Sequence, residues 1–195
     1  MKKILITTSS FAENDPTPLN DLKNAGLHVI QNPMRRKLNE QEVLDLIFEH
    51  KPLGILAGVE PLTANVLNQV QGLKSIARAG TGLDTVDVET AKELGISVTN
   101  TPDAPTIPVA ELTLGMMLTL LRQIHTSDAS IRNSQWVRPN GELLYGKTVG
   151  IIGCGRIGSR VALYLKNFGC TILGSDPACK EHKDLQLADL EDVLA

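Results

Sequence analysis

The sequence predicts an α/β protein made of one complete parallel sheet and the start of a second. Three observations carry this. Short β-branched or leucine-rich runs alternate with helix-length amphipathic segments through residues 1–101. Prolines then interrupt the rhythm at 102–108, and a glycine-rich turn, "GIIGCGRIGSR" at 150–160, opens a new run of the same kind.

The first run holds candidate strands "KILITT" (3–8), "HVIQN" (28–32), "GILAGV" (54–59), "KSIARAG" (74–80) and "ISVTN" (96–100). Between them lie "TPLNDLKNAG", "LNEQEVLDLIFEH", "TANVLNQVQG" and "DTVDVETAKELG", each amphipathic at helical spacing. Strands separated by crossover helices pair in parallel, so residues 1–101 predict a small doubly wound sheet of flavodoxin-like type.

Pro102, Pro105 and Pro108 exclude a central strand or a helix interior and mark a boundary, dividing 1–101 from 102–195. Beyond it, residues 108–133 predict one long helix, with Thr106 as N-cap and Pro108 in the first turn. Its middle (Leu112, Leu114, Met116, Met117, Leu118, Leu120, Leu121, Ile124) is apolar on nearly every side, which predicts burial between domains or subunits. Trp136 is expected to cover a core edge.

The second run begins with a strand at 147–152, followed by Gly153, Gly155 and Gly158 in G-x-G-x-x-G order and an amphipathic helix ending near Gly169. A further strand, "CTILGS", runs into Asp176. The spacing has a chemical logic: the first glycine permits a tight turn, the second lets backbone approach a pyrophosphate, and the third lets the helix lie close on the strand. The helix N-terminus adds unpartnered N–H groups and a partial positive charge. Asp176 can accept hydrogen bonds from ribose hydroxyls, its charge opposes a 2′-phosphate, and no arginine follows closely, so NAD is favoured over NADP. Three glycines alone are a weak signal. Strand, glycines, helix, second strand and terminal acid in register make the start of a Rossmann domain the expectation, against a glycine turn that merely packs.

Composition excludes other classes. Hydrophobic residues form 42% of the chain and charged residues 21%, which rules out wholesale disorder. A formal charge of -3 gives no electrostatic reason to expect nucleic acid as a partner. The apolar run in "MKKILITTSS" is too short for a signal peptide, "LTLGMMLTLL" (112–121) falls short of a membrane span, and the chain reads as cytoplasmic. Cys154, Cys170 and Cys179 have neither zinc-site nor disulfide spacing and read as packing residues; no metal site is expected.

"RAGTGLDTVDVETAKELGISVTNTPDAPTIPVAELTLGMMLTLLRQI" followed by "LYGKTVGIIGCGRIGSRVALYLKNFGCTILGSDP" resembles the NAD-dependent D-2-hydroxyacid dehydrogenases, closest to their D-3-phosphoglycerate dehydrogenase branch. The resemblance runs from Lys3 to the last residue and is most specific between Arg78 and Pro177. It implies a substrate-binding (catalytic) domain packed on a Rossmann domain, with a small 2-hydroxy or 2-keto acid in the cleft. On this resemblance Gly153, Gly155, Arg156, Ile157 and Gly158 hold the pyrophosphate and Asp176 the adenosine ribose. Thr81 lies near the nicotinamide, the backbone of Thr81 and Gly82 faces the substrate carboxylate, and Arg78 lies near the substrate's phosphate-bearing end. Read without the resemblance, Arg78 is equally a solvated charge at a strand end, and Thr81 and Gly82 a turn. The sequence departs from the branch at Ala57, where several phosphoglycerate dehydrogenases carry a phosphate-binding arginine, and this leaves other 2-hydroxy acids open.

Hydride transfer to a keto acid needs a proton donor and a cation to polarise the carbonyl. The family resemblance places these, an arginine, a glutamate and a histidine, after the third Rossmann strand, whereas this chain ends at "LADLEDVLA", in the expected helix before that strand. His28, His50, His125 and His182 stand in structural contexts, so no catalytic residue is assigned. Two Rossmann strands against the usual six predict an incomplete portion of a dehydrogenase. The rival expectations are a non-catalytic NAD(H)-binding module that dimerises through the helix at 108–133, and an interaction protein that has lost nucleotide binding.

Overall fold

In the computed structural model, which describes residues 1–195, the chain divides into two compact units, Met1–Ala104 and Pro105–Ala195. The first runs β1 (Lys3–Ile6), α1 (Thr17–Asn24), β2 (His28–Gln31), α2 (Glu40–His50), β3 (Gly54–Ala57), α3 (Ala64–Gln69), β4 (Ser75–Arg78), α4 (Val88–Glu93) and β5 (Ser97–Asn100). All neighbours pair in parallel in the order β2-β1-β3-β4-β5, the flavodoxin-like arrangement expected. The order reverses between β1 and β3, so the carboxyl ends of those strands form a switch point.

The helices start where their capping chemistry dictates. Asn39 Oδ1 accepts from the Glu42 N–H at 2.9 Å while the Glu42 carboxylate accepts from the Asn39 N–H at 2.9 Å, a reciprocal cap for α2. Asp87 caps α4 through the Thr90 N–H at 2.9 Å. The α2 cap sets the register in which Val43 and Ile47 join Val66 and Leu67 of α3 and Leu5, Ile55 and Ile76 of the central strands in one buried core. Each such side chain contributes roughly 1.5–3 kcal/mol by leaving water.

The second unit contains α5 (Thr106–Leu121), α6 (Ile124–Arg132), β6 (Thr148–Ile152), α7 (Arg156–Asn167), β7 (Thr171–Ser175), β8 (Gln186–Leu187) and α8 (Leu190–Leu194). Its strands pair in parallel in the order β6-β7-β8. Ala110, Leu144, Ile151, Val161, Ala162, Leu165 and Ile172 form its core.

Several expectations are corrected here. The single helix over 108–133 is two helices bent by 67°. The cause lies downstream: the Leu121 carbonyl accepts from the Glu142 N–H at 2.8 Å, Gln123 Nε2 donates to the Asn140 carbonyl at 3.0 Å, and Gln123 takes a left-handed φ of 51°. A side chain at Gly141 would collide with the Leu121 carbonyl and the Arg122 backbone, so the loop at 140–142 seats directly on the helix end. Thr106 is the first residue of α5 rather than its cap, with Pro105 in the capping position and the Thr106 hydroxyl buried without a partner.

Within its own chain α5 is covered over part of its surface. Only Ala110 is buried, and Leu112, Met116 and Leu120, one turn apart, are 62%, 57% and 67% exposed. Trp136 covers no core edge: it lies between α6 and β6, outside any regular element, and is 86% exposed. A third strand, β8, is present where only two were expected, and "LADLEDVLA" begins within it. Its two residues are too few to show a period. Residues 102–104 belong to the first unit, held there by the Thr81 hydroxyl donating to the Pro102 carbonyl at 3.1 Å. No single helix is long and apolar enough to cross a membrane.

Candidate functional site

In the second unit β6 runs directly into the turn Gly153–Gly158. Gly153 has φ of 93°, a conformation L side chains rarely adopt, and its N–H still reaches the Ser175 carbonyl of β7 at 2.8 Å. A Cβ at Gly158 would lie 2.0 Å from the Gly153 carbonyl oxygen, so only glycine lets α7 pack this close to the strand end. A Cβ at Gly155 would meet nothing within 4 Å, which leaves open space beside the backbone where a phosphate could approach. Gly155 is the N-cap of α7, and Arg156 and Ile157, both exposed, form its first turn. First-turn N–H groups of a helix have no partner within the helix.

Asp176 follows β7 and reaches back to this turn. Its Oδ2 accepts from the Cys154 N–H at 2.8 Å and its Oδ1 from the Ala178 N–H at 2.8 Å. The backbone N–H of Ala178, then that of Cys154, holds its carboxyl below the usual aspartate range. Each oxygen has accepted one bond and keeps capacity for another, which is what a pair of ribose hydroxyls requires. Next to it opens a cleft of about 810 Å³ lined by residues that include Asp176, Pro177, Lys180, Leu187 and Asp189, outside the carboxyl ends of β7 and β8. An open turn, a helix N-terminus and a carboxylate with free acceptor sites together fit a dinucleotide's adenosine side.

In the first unit the candidates gather in the turn after β4. The Gly80 N–H donates to Thr101 Oγ1 at 2.8 Å, and Asn100 Nδ2 donates to the Thr81 carbonyl at 2.7 Å. Gly82 follows, half-buried, with Asp84 close enough that a Cβ there would meet its carboxylate. Arg78 folds its guanidinium over Gly80 and donates through Nη1 to the Ala79 carbonyl, while its Nε is buried without a partner. Ala57, its register partner on β3, is 1% exposed. The structure thus gathers Arg78, Thr81 and Gly82 in one turn, and Gly153, Gly155, Arg156, Ile157, Gly158 and Asp176 in another.

Sequence reasoning missed Glu60. It is 2% exposed at the switch point, where its carboxylate accepts from the Gly58 N–H at 2.9 and 3.1 Å and from the Thr7 hydroxyl. It ties the end of β1 to the loop after β3. The only signal was an acid inside the apolar stretch "ILAGVEPL". Of the histidines, His28 begins β2, His50 ends α2, His125 lies in α6, and His182 is bonded to Ser159. Burial pushes the Cys154 and Cys170 thiols up, away from reactivity.

A flavodoxin-like unit followed by a strand, glycine turn, helix and acid-terminated strand defines the class: a two-unit α/β protein whose second unit opens as a Rossmann domain does. The chain belongs to the D-isomer specific 2-hydroxyacid dehydrogenases, whose catalytic domain matches residues 4–183. It is 45% identical over 142 residues to the D-3-phosphoglycerate dehydrogenase of Methanocaldococcus jannaschii, covering 72% of this chain and 27% of that protein. It is 41% identical over 161 residues to the hydroxypyruvate reductase of Thermotoga maritima, covering 80% of this chain and 52% of that one. The crystal structure of D-lactate dehydrogenase from Aquifex aeolicus, complexed with NAD and lactic acid, has a TM-score of 0.77 and 29% identity, covering 98% of this chain and 57% of the other. This chain therefore spans well under two thirds of the length of these relatives.

Proposed function

We propose that residues 1–195 supply the substrate-recognition unit and the adenosine side of the cofactor site of a dehydrogenase acting between NAD and a 2-hydroxy or 2-keto acid. The observation that carries this reading is Asp176, whose carboxylate is pinned to the glycine turn by the Cys154 N–H yet keeps acceptor capacity for ribose hydroxyls. Its negative charge supports NAD over NADP, although solved structures of this fold include complexes with each. When bound, NAD supplies the hydride acceptor or donor. The chain's own residues bind and orient: Gly153, Gly155, Arg156, Ile157 and Gly158 hold the pyrophosphate through backbone N–H groups, and Asp176 holds the ribose. Thr81 stands toward the nicotinamide, and the Thr81–Gly82 backbone takes the substrate carboxylate.

Arg78 takes the far, anionic end of a 3-phosphoglycerate-like substrate, which the phosphoglycerate dehydrogenase relatives support. With Ala57 buried in place of an arginine, Arg78 is the cation of that register pair, and its partnerless Nε has a hydrogen bond to give. Proton transfer and carbonyl polarisation require groups beyond these binding residues. The exposed ridge Leu112, Met116 and Leu120 of α5 supports a homodimer through α5 and α6; a cytoplasmic location goes with the enzyme reading. That ridge also favours the second reading, a non-catalytic NAD(H)-binding dimerisation module.

Fluorescence titration of the chain with NADH and NADPH tests the proposal. NADH should bind at least about tenfold more tightly than NADPH, and Asp176→Ala should remove that preference. Equal affinities, or no binding of either, would refute it. Because these residues bind and orient without transferring a proton, reduction of a 2-keto acid at an enzymatic rate by the 195-residue chain alone would also refute the proposal.

A further inference from the structure

We infer that His182 is a positioning residue for the dinucleotide turn, acting through Ser159. This rests on the reading of the second unit as the cofactor site. Ser159, in the first turns of α7, donates its hydroxyl proton to the Cys154 carbonyl at 2.8 Å. A hydroxyl has one proton, so Ser159 Oγ can only accept from His182 Nε2, which lies 2.8 Å away. On the other side of the ring, His182 Nδ1 accepts the Asp184 N–H at 3.2 Å. Both contacts require the same species, a neutral imidazole with its proton on Nε2. Asp184 is itself anchored to α7 by Lys166 Nζ at 3.0 Å.

The result is a directed chain of hydrogen bonds from the Asp184 N–H through His182 and Ser159 to the carbonyl of Cys154. Its target matters because the residue between the first two glycines is then held at both of its peptides. Asp176 takes the Cys154 N–H and Ser159 takes the Cys154 carbonyl. A trans peptide is planar, so turning that carbonyl toward Ser159 turns the Gly155 N–H the opposite way. It also sets the angle at which the chain enters α7, and with it the aim of the first-turn N–H groups at a phosphate. His182 belongs to the connection between β7 and β8, whose residues Pro177, Cys179 and Lys180 line the cleft beside Asp176. The chain of bonds thus ties that cleft wall to the turn.

The test uses the 195-residue chain and three variants: His182→Ala, His182→Gln, which keeps an N–H donor, and Ser159→Ala, together with the His182→Ala/Ser159→Ala double variant. Long-range 1H–15N NMR of the parent should show the Nε2–H tautomer of His182; an Nδ1–H tautomer would overturn the inference. In NADH titrations His182→Ala should bind about fivefold more weakly, the size of one net hydrogen bond, with His182→Gln within about twofold of the parent. Ser159→Ala should match His182→Ala, and the double variant should be no worse than either, because the residues act in series. Parental affinity in His182→Ala, or losses that multiply in the double variant, would overturn it. Should the parent not bind NADH, the cofactor reading fails alone. The amide resonances of Cys154 and Gly155 then decide: they move in His182→Ala and return in His182→Gln, or the inference fails too.

Discussion

Each unit closes a strand with a glycine turn, β4 at Ala79–Gly82 and β6 at Gly153–Gly158, and the two are held in different ways. After β6 the backbone is pinned by side chains from behind: Asp176 takes the Cys154 N–H, Ser159 takes its carbonyl, and the Gly153 carbonyl rests against Gly158. After β4 the exposed turn leans on its neighbour β5 and the segment beyond it, through Thr101, Asn100 and Pro102. Its charged side chain, Arg78, folds over Gly80 with Nε unsatisfied. An unsatisfied buried donor costs about 1–3 kcal/mol, and a bound anion would offset that cost. The β6 turn is pinned on both sides of Cys154, while the β4 turn carries a guanidinium with one donor unsatisfied.

The difference breaks most easily at Gly158. Gly158→Ala places a methyl group 2.0 Å from the Gly153 carbonyl oxygen and 3.2 Å from Ile151 Cγ2, so the strand-end backbone must shift to admit it. Urea unfolding should show a loss of about 3 kcal/mol, and NADH affinity should fall with it. A parental urea midpoint would mean that α7 does not sit tightly on β6.

Asp176→Asn comes next and is read by pH. The aspartate's carboxyl is held below its ordinary value by the N–H groups of Ala178 and Cys154. Its stabilising contribution is therefore present above the unfolded value, near about pH 4, and is lost as pH falls through the folded value. Stability curves of parent and variant should be separated at neutral pH and converge on the acid side. Separation that persists at low pH would remove the carboxylate's charge from the explanation.

Thr101→Val, which removes an acceptor from the β4 turn, should cost only about 0.5–1 kcal/mol, because water can replace the lost acceptor at an exposed Gly80 N–H. A loss above about 2 kcal/mol would show this turn to be as rigidly built as the other.

The α2 cap stands outside both turns and gauges ordinary local effects. Asn39→Ala should cost about 1 kcal/mol in urea unfolding. Glu42, hydrogen-bonded by Arg36 and by the Asn39 N–H, has its pKa lowered to about 2. Its contribution is complete above about pH 4.5 and lost toward pH 2. Glu42→Gln should flatten the acid limb of the stability curve over that window, and an unchanged limb would deny the pair any part in stability.

Five strands, their crossovers and their parallel order were legible because alternation of apolar runs with amphipathic helices is local and repeats. The β6 turn was legible for a related reason: Gly153, Gly155, Gly158 and Asp176 lie within one strand–helix–strand unit, and each answers a steric or charge demand of that unit. Glu60 was not legible, since nothing in "GVEP" shows that Thr7, 53 residues earlier, lies beside it. His182 reads in sequence as a polar linker residue, and only folding carries it across 23 residues to Ser159.

The amino-acid sequence by itself determined the two α/β runs, the flavodoxin-like order, the glycine turn with its acid, and the family. Spacing and residue type carry those features over short stretches of chain. Tertiary structure decided where the helix over 108–133 breaks, that Trp136 and one ridge of α5 face outward, that β8 pairs with β7, and which side chains pin the turns. The break at Gln123 shows why. It is made by Gly141 and Glu142, which lie outside the helix, and a hydrogen bond between distant segments leaves no periodic trace in either.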